Sequence, residues 1–69
     1  MEKFKTRLKE LRLSRKLSQQ ALGLELKVSQ AAIARWEAGT QIPNIENAIA
    51  IAKFFSVTAD YLLGLSDFN

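Results

Sequence analysis

The stretch SQQALGLELKVSQAAIARWEAG, residues 18–39, decides the fold. Ser18 and Ser29 each precede a run of helix-forming residues, where a hydroxyl oxygen can accept a hydrogen bond from the unpaired N–H groups of a helix start. These runs predict two short helices, 19–26 and 30–38, joined by about three residues. The stretch therefore predicts two helices connected by a tight turn.

The two predicted helices share a small apolar core. It is formed by Leu22, Leu26, Val28, Ile33 and Trp36. Gly23 stands in the middle of the first helix, where glycine costs about 1 kcal/mol relative to alanine. We expect a close approach of the next helix to offset this cost, the alternative being a loosely packed helix that tolerates glycine.

The opposite face of the second helix carries little charge. It consists of Ser29, Gln30, Ala31, Ala34 and Arg35. Gln can form two hydrogen bonds with adenine, Arg can form two with guanine, and an Ala methyl group can touch the thymine methyl. The pattern favours a surface that reads base edges. The alternative is a solvated helix face, although such faces usually carry Glu and Lys.

The flanking sequence predicts three more helices. Phe4, Leu8 and Leu11 recur at helical spacing within 3–15. A fourth helix follows the cap residue Asn44, and its predicted apolar stripe is Ile45, Ala48, Ile49, Ala52 and Phe55. A fifth helix runs from the cap residue Thr58 to Gly64. With no alternation typical of β-hairpins, we predict an all-α, compact five-helix bundle forming a single domain, 1–69, with a short C-terminal tail, 65–69.

Composition restricts the possible chemistry. The 69 residues contain neither Cys nor His, which removes the commonest general base and the best zinc ligands. We therefore predict no enzyme, no metal site, no cofactor and no small-molecule ligand. No segment matches a signal peptide or a membrane span, so we expect a cytoplasmic protein.

Charge is distributed unevenly along the chain. Residues 1–35 carry nine basic and three acidic residues, a balance of +6, whereas residues 36–69 carry one basic and four acidic residues, a balance of −3. Such asymmetry suggests that the N-terminal half faces a polyanion. The alternative is a basic helix face that is merely solvated.

The sequence resembles the phage-repressor (Cro/CI-type, lambda-repressor-like) helix-turn-helix regulators. The matching segments are Arg12, Leu17-Ser18-Gln19-Gln20, Val28-Ser29-Gln30, Ile33 to Gly39, Ile42 to Glu46, Ile51-Ala52-Lys53 and Val57 to Gly64. The resemblance covers nearly the whole chain with the family's spacing. It implies a helix-turn-helix over about 19–38 and binding of a double-stranded DNA operator.

The resemblance also implies residue roles. The residues expected to contact base edges are Gln30, Ala31 and Arg35. Those expected to contact phosphates are Ser18, Gln19, Ser29, Thr40 and Gln41. Gln19 would also brace Gln30, and Arg12 would form an internal ion pair with Glu37, which makes Arg12 structural rather than a DNA contact.

Three positions depart from the family pattern. Lys27 stands in the turn where the family usually has Gly, so it must accept a left-handed backbone or the turn must differ. Gly23 stands where Ala is usual. The loop at Gln41 and Ile42 lacks the common Lys or Arg, which weakens non-specific attraction to phosphate.

Apolar residues crowd the C-terminal end, including Leu63. The candidates for a dimer interface are Ala59, Tyr61, Leu62, Leu65 and Phe68. The alternative is that these residues all pack within the monomer. A homodimer would bind a palindromic operator, and we predict a repressor.

The main alternative function is a protein-interaction module, such as an antitoxin or adaptor, that retains the same fold. RNA binding is disfavoured because exposed aromatic residues for stacking are lacking.

Overall fold

The computed structural model describes residues 2–68, which contain five α-helices and no β-strand. The helices are α1 (Glu2–Ser14), α2 (Gln19–Leu26), α3 (Gln30–Ala38), α4 (Ile45–Phe55) and α5 (Ala59–Leu63). This confirms the all-α prediction, and only α1 is displaced, by one residue from the predicted 3–15. No helix within residues 2–68 is both long enough and apolar enough to cross a membrane.

The predicted cap residues begin the last four helices. They are Ser18, Ser29, Asn44 and Thr58, and the side-chain oxygen of each accepts a hydrogen bond from the backbone N–H three residues later, at 2.8–3.0 Å. The same four helices end in a left-handed residue whose N–H bonds back to the helix carbonyls. Short helices are thereby stopped at defined positions, and this fixes where the turns project.

The core lies where the helices cross. α2 packs against α3, α1 against α3 and α5, and α4 against α2 and α5. The buried apolar side chains come from all five helices: Phe4, Leu8, Leu22, Ile33, Trp36, Ile51, Ala52, Phe55 and Leu62. Because α3 contributes both Ile33 and Trp36, its opposite face is turned toward solvent.

Two predictions about apolar residues were wrong. Ile45 and Ile49 were expected on the buried stripe of α4, yet they are 76% and 44% exposed, whereas Ile51 is fully buried. The core face of α4 follows the spacing 48, 51, 52 and 55, which leaves Ile45 and Ile49 on its flank. Leu62 was a candidate for the dimer interface, but it is fully buried within the monomer core and is not available to a partner.

The turn between α2 and α3 explains Gly23. A Cβ atom at position 23 would lie 2.8 Å from the Val28 carbonyl oxygen and 3.4 Å from the Gln30 backbone nitrogen. The expected close approach is thus confirmed, and it involves the turn and the first residue of α3. Lys27 accepts the left-handed conformation, with φ 60° and ψ 40°, so the turn keeps its shape without the usual glycine.

Candidate nucleic-acid interface

The exposed face of α3 presents Gln30, Ala31 and Arg35, and we call these three residues the α3 face. All three are exposed, whereas Ile33 and Trp36 on the other side of the helix are buried. An α-helix with its side chains is about 10–12 Å in diameter. This diameter fits the major groove of B-DNA, which is about 12 Å wide.

Gln30 is braced by hydrogen bonds that lead back into the protein. Its Nε2 donates to Oε1 of Gln19 at 3.0 Å, and Nε2 of Gln19 donates to Oε1 of Glu37 at 3.2 Å. The brace between Gln19 and Gln30 was expected, but the link from Gln19 to Glu37 was not. Since a carboxylate only accepts, the Gln19 amide must direct its oxygen toward Gln30. One N–H and the carbonyl oxygen of Gln30 remain for a ligand.

The ion pair of Arg12 and Glu37 anchors this series of hydrogen bonds. Nε of Arg12 lies 2.6 Å from Oε2 of Glu37, and Nη2 lies 3.0 Å from Oε1. The two side chains are 10% and 5% exposed, and Nη1 also donates to the Leu17 carbonyl oxygen at 2.8 Å. Hydrogen bonding to Glu37 raises the pKa of Arg12 above its ordinary value, although burial works in the opposite direction. The pair ties α1 to α3 and faces away from solvent.

Arg35 lies at the other end of the α3 face. Its Nε donates to Oε1 of Gln41 at 2.6 Å. The neighbouring Thr40 uses both of its donors on the Arg35 carbonyl oxygen, the backbone N–H at 3.1 Å and the hydroxyl at 3.3 Å. A phosphate contact by the Thr40 hydroxyl would therefore require this group to rotate away from that carbonyl.

The residues predicted to contact phosphates lie at the start of α2 and on either side of α3 in the chain. Ser18 and Gln19 begin α2, Ser29 precedes α3, and Thr40 and Gln41 follow it. The oxygens of both serines accept capping hydrogen bonds, which leaves their hydroxyl hydrogens free to donate. Of these residues, Gln19 and Gln41 are hydrogen-bonded to the α3 face, and Ser29 directly precedes α3.

Sequence reasoning missed the role of Arg7. Its guanidinium lies 4.0 Å over the Tyr61 ring and donates to the backbone oxygens of Tyr61 and Ser66 and to the Asp67 carboxylate. Arg7 therefore fastens the C-terminal tail to α1 and covers Tyr61, one of the dimer candidates. A basic residue in a basic helix gives no sign of this contact in the sequence.

A second surface feature is a groove with apolar walls. Its lining residues come from the loop before α4, from α4 and from the C-terminal end, and none of them belongs to α3. Its volume is about 400 Å³, and its lining residues are Ile42, Pro43, Ile45, Ala48, Leu63 and Leu65. We call this surface the apolar groove. Of the remaining dimer candidates, Leu65 lines it and is 77% exposed, Phe68 is 84% exposed, and Ala59 is half-buried.

Two short capped helices, α2 and α3, are joined by a tight turn. The second helix exposes two polar side chains, each held by a hydrogen bond. This arrangement defines a helix-turn-helix domain. Residues 8–62 match the family model described as helix-turn-helix. The chain belongs to this family, within its phage-repressor-like (Cro/CI-type) regulators.

The chain is similar to curated transcription regulators and to a solved repressor structure. It is 47% identical over 60 residues to the HTH-type transcriptional activator BcrR of Enterococcus faecalis and 40% identical over 62 residues to repressor protein C2 of Salmonella phage P22. These matches cover 87% and 90% of this chain but only 29% and 27% of the relatives, so the chain spans less than a third of their length. The P22 c2 repressor in complex with synthetic operator 9T superposes with a TM-score of 0.82 at 37% identity, covering 86% of this chain and 89% of that one.

Proposed function

We propose that this chain binds double-stranded DNA in a sequence-specific manner and regulates transcription, with α3 inserted into the major groove. The observation that carries the proposal is the α3 face itself. Gln30 and Arg35 are exposed, each is held by a neighbouring amide, and each retains further hydrogen-bond donors for a ligand. A merely solvated face has no need of such braces. The similar P22 repressor was solved with an operator, which supports the same partner here.

Base contacts follow from side-chain chemistry. The free N–H and carbonyl oxygen of Gln30 match the acceptor and donor of adenine, and the guanidinium of Arg35 matches the two acceptors of guanine. Ala31 is exposed beside Gln30 and offers a methyl group for thymine. Phosphate contacts from Ser18, Gln19, Ser29, Thr40 and Gln41 would set the position of α3 without reading sequence.

We further propose that two copies bind a palindromic operator. Dimers of such modules contact half-sites about one helical turn apart. The apolar groove offers the surface, because Ile42, Ile45 and Leu65 are between 57% and 77% exposed. A single domain of this size has a small core, so burying these side chains against a second copy would add stability. Leu62 takes no part.

The regulator would act in the cytoplasm by occupying an operator that overlaps a promoter, which represses transcription. The relatives include an activator as well as a repressor. The proposed α3 face would bind DNA in the same way in either case. A reporter gene whose promoter overlaps the operator should lose expression when the protein is present. A rise in expression would contradict repression and leave DNA binding intact.

The central test of DNA binding uses Arg35→Ala. This change should cost roughly 1–3 kcal/mol of affinity for a selected operator duplex and relax preference at one base pair. Lys53→Ala is the matched control, since Lys53 is exposed on α4, outside the α3 face and the loops that border it. If the parent protein shows no preference among duplexes at low salt, the chain does not read DNA, and the protein-interaction module becomes the better hypothesis.

The dimer is tested by Ile45→Asp. A charge in the apolar groove should abolish self-association in sedimentation while the folded monomer persists. Leu24→Asp is the control, because Leu24 is also 76% exposed and lies outside the groove. Equal loss of association in both variants, or a parent protein that is monomeric both free and on DNA, would contradict the proposed interface.

A further inference from the structure

Gln41 stands beside Arg35 because of how α3 ends. Gly39 adopts a left-handed conformation with φ 80°, and the Thr40 N–H then bonds back to the Arg35 carbonyl oxygen. The chain reverses over these two residues and brings residue 41 alongside residue 35. The Gln41 side chain is thereby positioned by the backbone cap of α3.

The hydrogen bond has a defined polarity. Arg35 has only donors, so the Gln41 atom that faces its Nε must be the amide oxygen, and the two atoms lie 2.6 Å apart. Within residues 2–68, neither Nη group of Arg35 has a hydrogen-bond acceptor. The bond therefore occupies the Nε edge of the guanidinium and leaves the outer edge, formed by the two Nη groups, to a ligand.

We propose that Gln41 is a positioning residue for base recognition: it holds the Arg35 guanidinium so that its two Nη groups meet the O6 and N7 acceptors of guanine. This inference rests on the proposed DNA-binding function and adds to the phosphate contact expected of Gln41. The two roles use different atoms, because the oxygen is bound to Arg35 and the Nε2 group stays free for a phosphate.

The physical reason is entropic. An exposed arginine that moves freely must be ordered when it binds, and this ordering weakens the contact. Gln41 orders Arg35 before DNA arrives, and it also removes the alternative in which Nε takes part in the base contact. Loss of Gln41 should reduce discrimination at the base pair read by Arg35 roughly twofold to tenfold, the cost of ordering one long side chain.

Two substitutions separate positioning from phosphate contact. Gln41→Ala removes both the oxygen and the Nε2 group, whereas Gln41→Glu keeps an oxygen for Arg35 and loses the donor to phosphate. We expect Gln41→Ala to lower discrimination at the same base pair that Arg35→Ala affects. Gln41→Glu should keep that discrimination while binding all duplexes more weakly, because it adds a negative charge near phosphates. In an Arg35→Ala background, Gln41→Ala should cause no further loss of discrimination.

The measurement uses the full chain with an operator duplex selected from a random pool by the parent protein, and with its single base-pair variants. A second readout needs no DNA: the Arg35 Nε–H proton in the free protein should exchange with water more slowly in the parent than in Gln41→Ala. Both side chains are exposed, so the melting temperature should not change.

Each contrary outcome has a distinct meaning. If Gln41→Ala weakens binding to every duplex equally, or if Gln41→Glu loses discrimination as Gln41→Ala does, the positioning role is refuted while DNA binding stands. If Arg35→Ala leaves base preference unchanged, Arg35 does not read a base, and the positioning role falls with it. If the parent binds no duplex, both the proposed function and this inference are wrong.

Discussion

Removing Glu37 should destabilise the protein severely, because it leaves the buried Arg12 guanidinium without its main partner. Arg12 makes three hydrogen bonds to protein oxygens, two of them to Glu37, and its side chain is only 10% exposed. Breaking a buried pair from one side costs about 3–5 kcal/mol. A hydrophobic core of this size rarely supplies more than about 3–5 kcal/mol. We therefore expect Glu37→Leu to be largely unfolded at 25 °C.

The assay is urea unfolding followed by the fluorescence of Trp36, which is the only tryptophan and is 3% exposed. With a slope of about 1 kcal/mol per molar urea, the midpoint of any remaining transition should fall by about 3 M or more. The double variant Arg12→Met, Glu37→Leu removes both charges and should recover at least about 2 kcal/mol of the loss. It should stay somewhat below the parent, because the Leu17 carbonyl oxygen loses its hydrogen bond.

A loss below about 1 kcal/mol in Glu37→Leu would contradict this prediction, since the guanidinium would then have found water or another acceptor. A double variant as unstable as the single one would show that the damage comes from altered packing rather than from an unpaired charge. The control is Glu10→Leu, since Glu10 is exposed in the middle of α1, and surface changes of this kind usually alter stability by no more than about 0.5 kcal/mol.

Two further predictions concern the turn between α2 and α3. Gly23→Leu should unfold the domain, because even a Cβ would lie 2.8 Å from the Val28 carbonyl oxygen; a melting temperature equal to that of the exposed-site control Glu25→Leu would contradict the close approach. Lys27→Gly should stabilise the protein by up to about 1 kcal/mol in urea unfolding, because the left-handed conformation at φ 60° strains any residue with a Cβ. Lys27→Ala should bring no such gain, and an equal gain in both variants would exclude relief of backbone strain as the cause.

The helices could be predicted from the sequence because their ends are marked by local chemistry. Ser18, Ser29, Asn44 and Thr58 act on backbone groups only three residues away, and such short-range effects do not depend on the rest of the fold. Burial in α4 could not be predicted equally well. The predicted stripe contained Ile45 and Ile49, whereas the packing of α2 and α5 against this helix buries the face that contains Ile51.

The candidate site was predictable in its residue types but not in its connections. The exposed α3 face followed from the opposite placement of Ile33 and Trp36. The bond from Gln41 to Arg35 depends on the left-handed Gly39 and on side-chain rotamers, and the clasp of Arg7 on the C-terminal tail joins residues about 60 positions apart. Contacts of this kind arise from the tertiary arrangement and leave no periodic trace in a single sequence.

The most direct test of the central claim is selection of bound duplexes from a random DNA pool by the purified protein. The account predicts one enriched motif with two-fold symmetry and half-sites about one helical turn apart. Selection repeated with Arg35→Ala should lose the preference at one symmetric pair of positions and keep the others. An unenriched pool, or a motif that is identical for parent and variant, would contradict recognition of DNA by the α3 face.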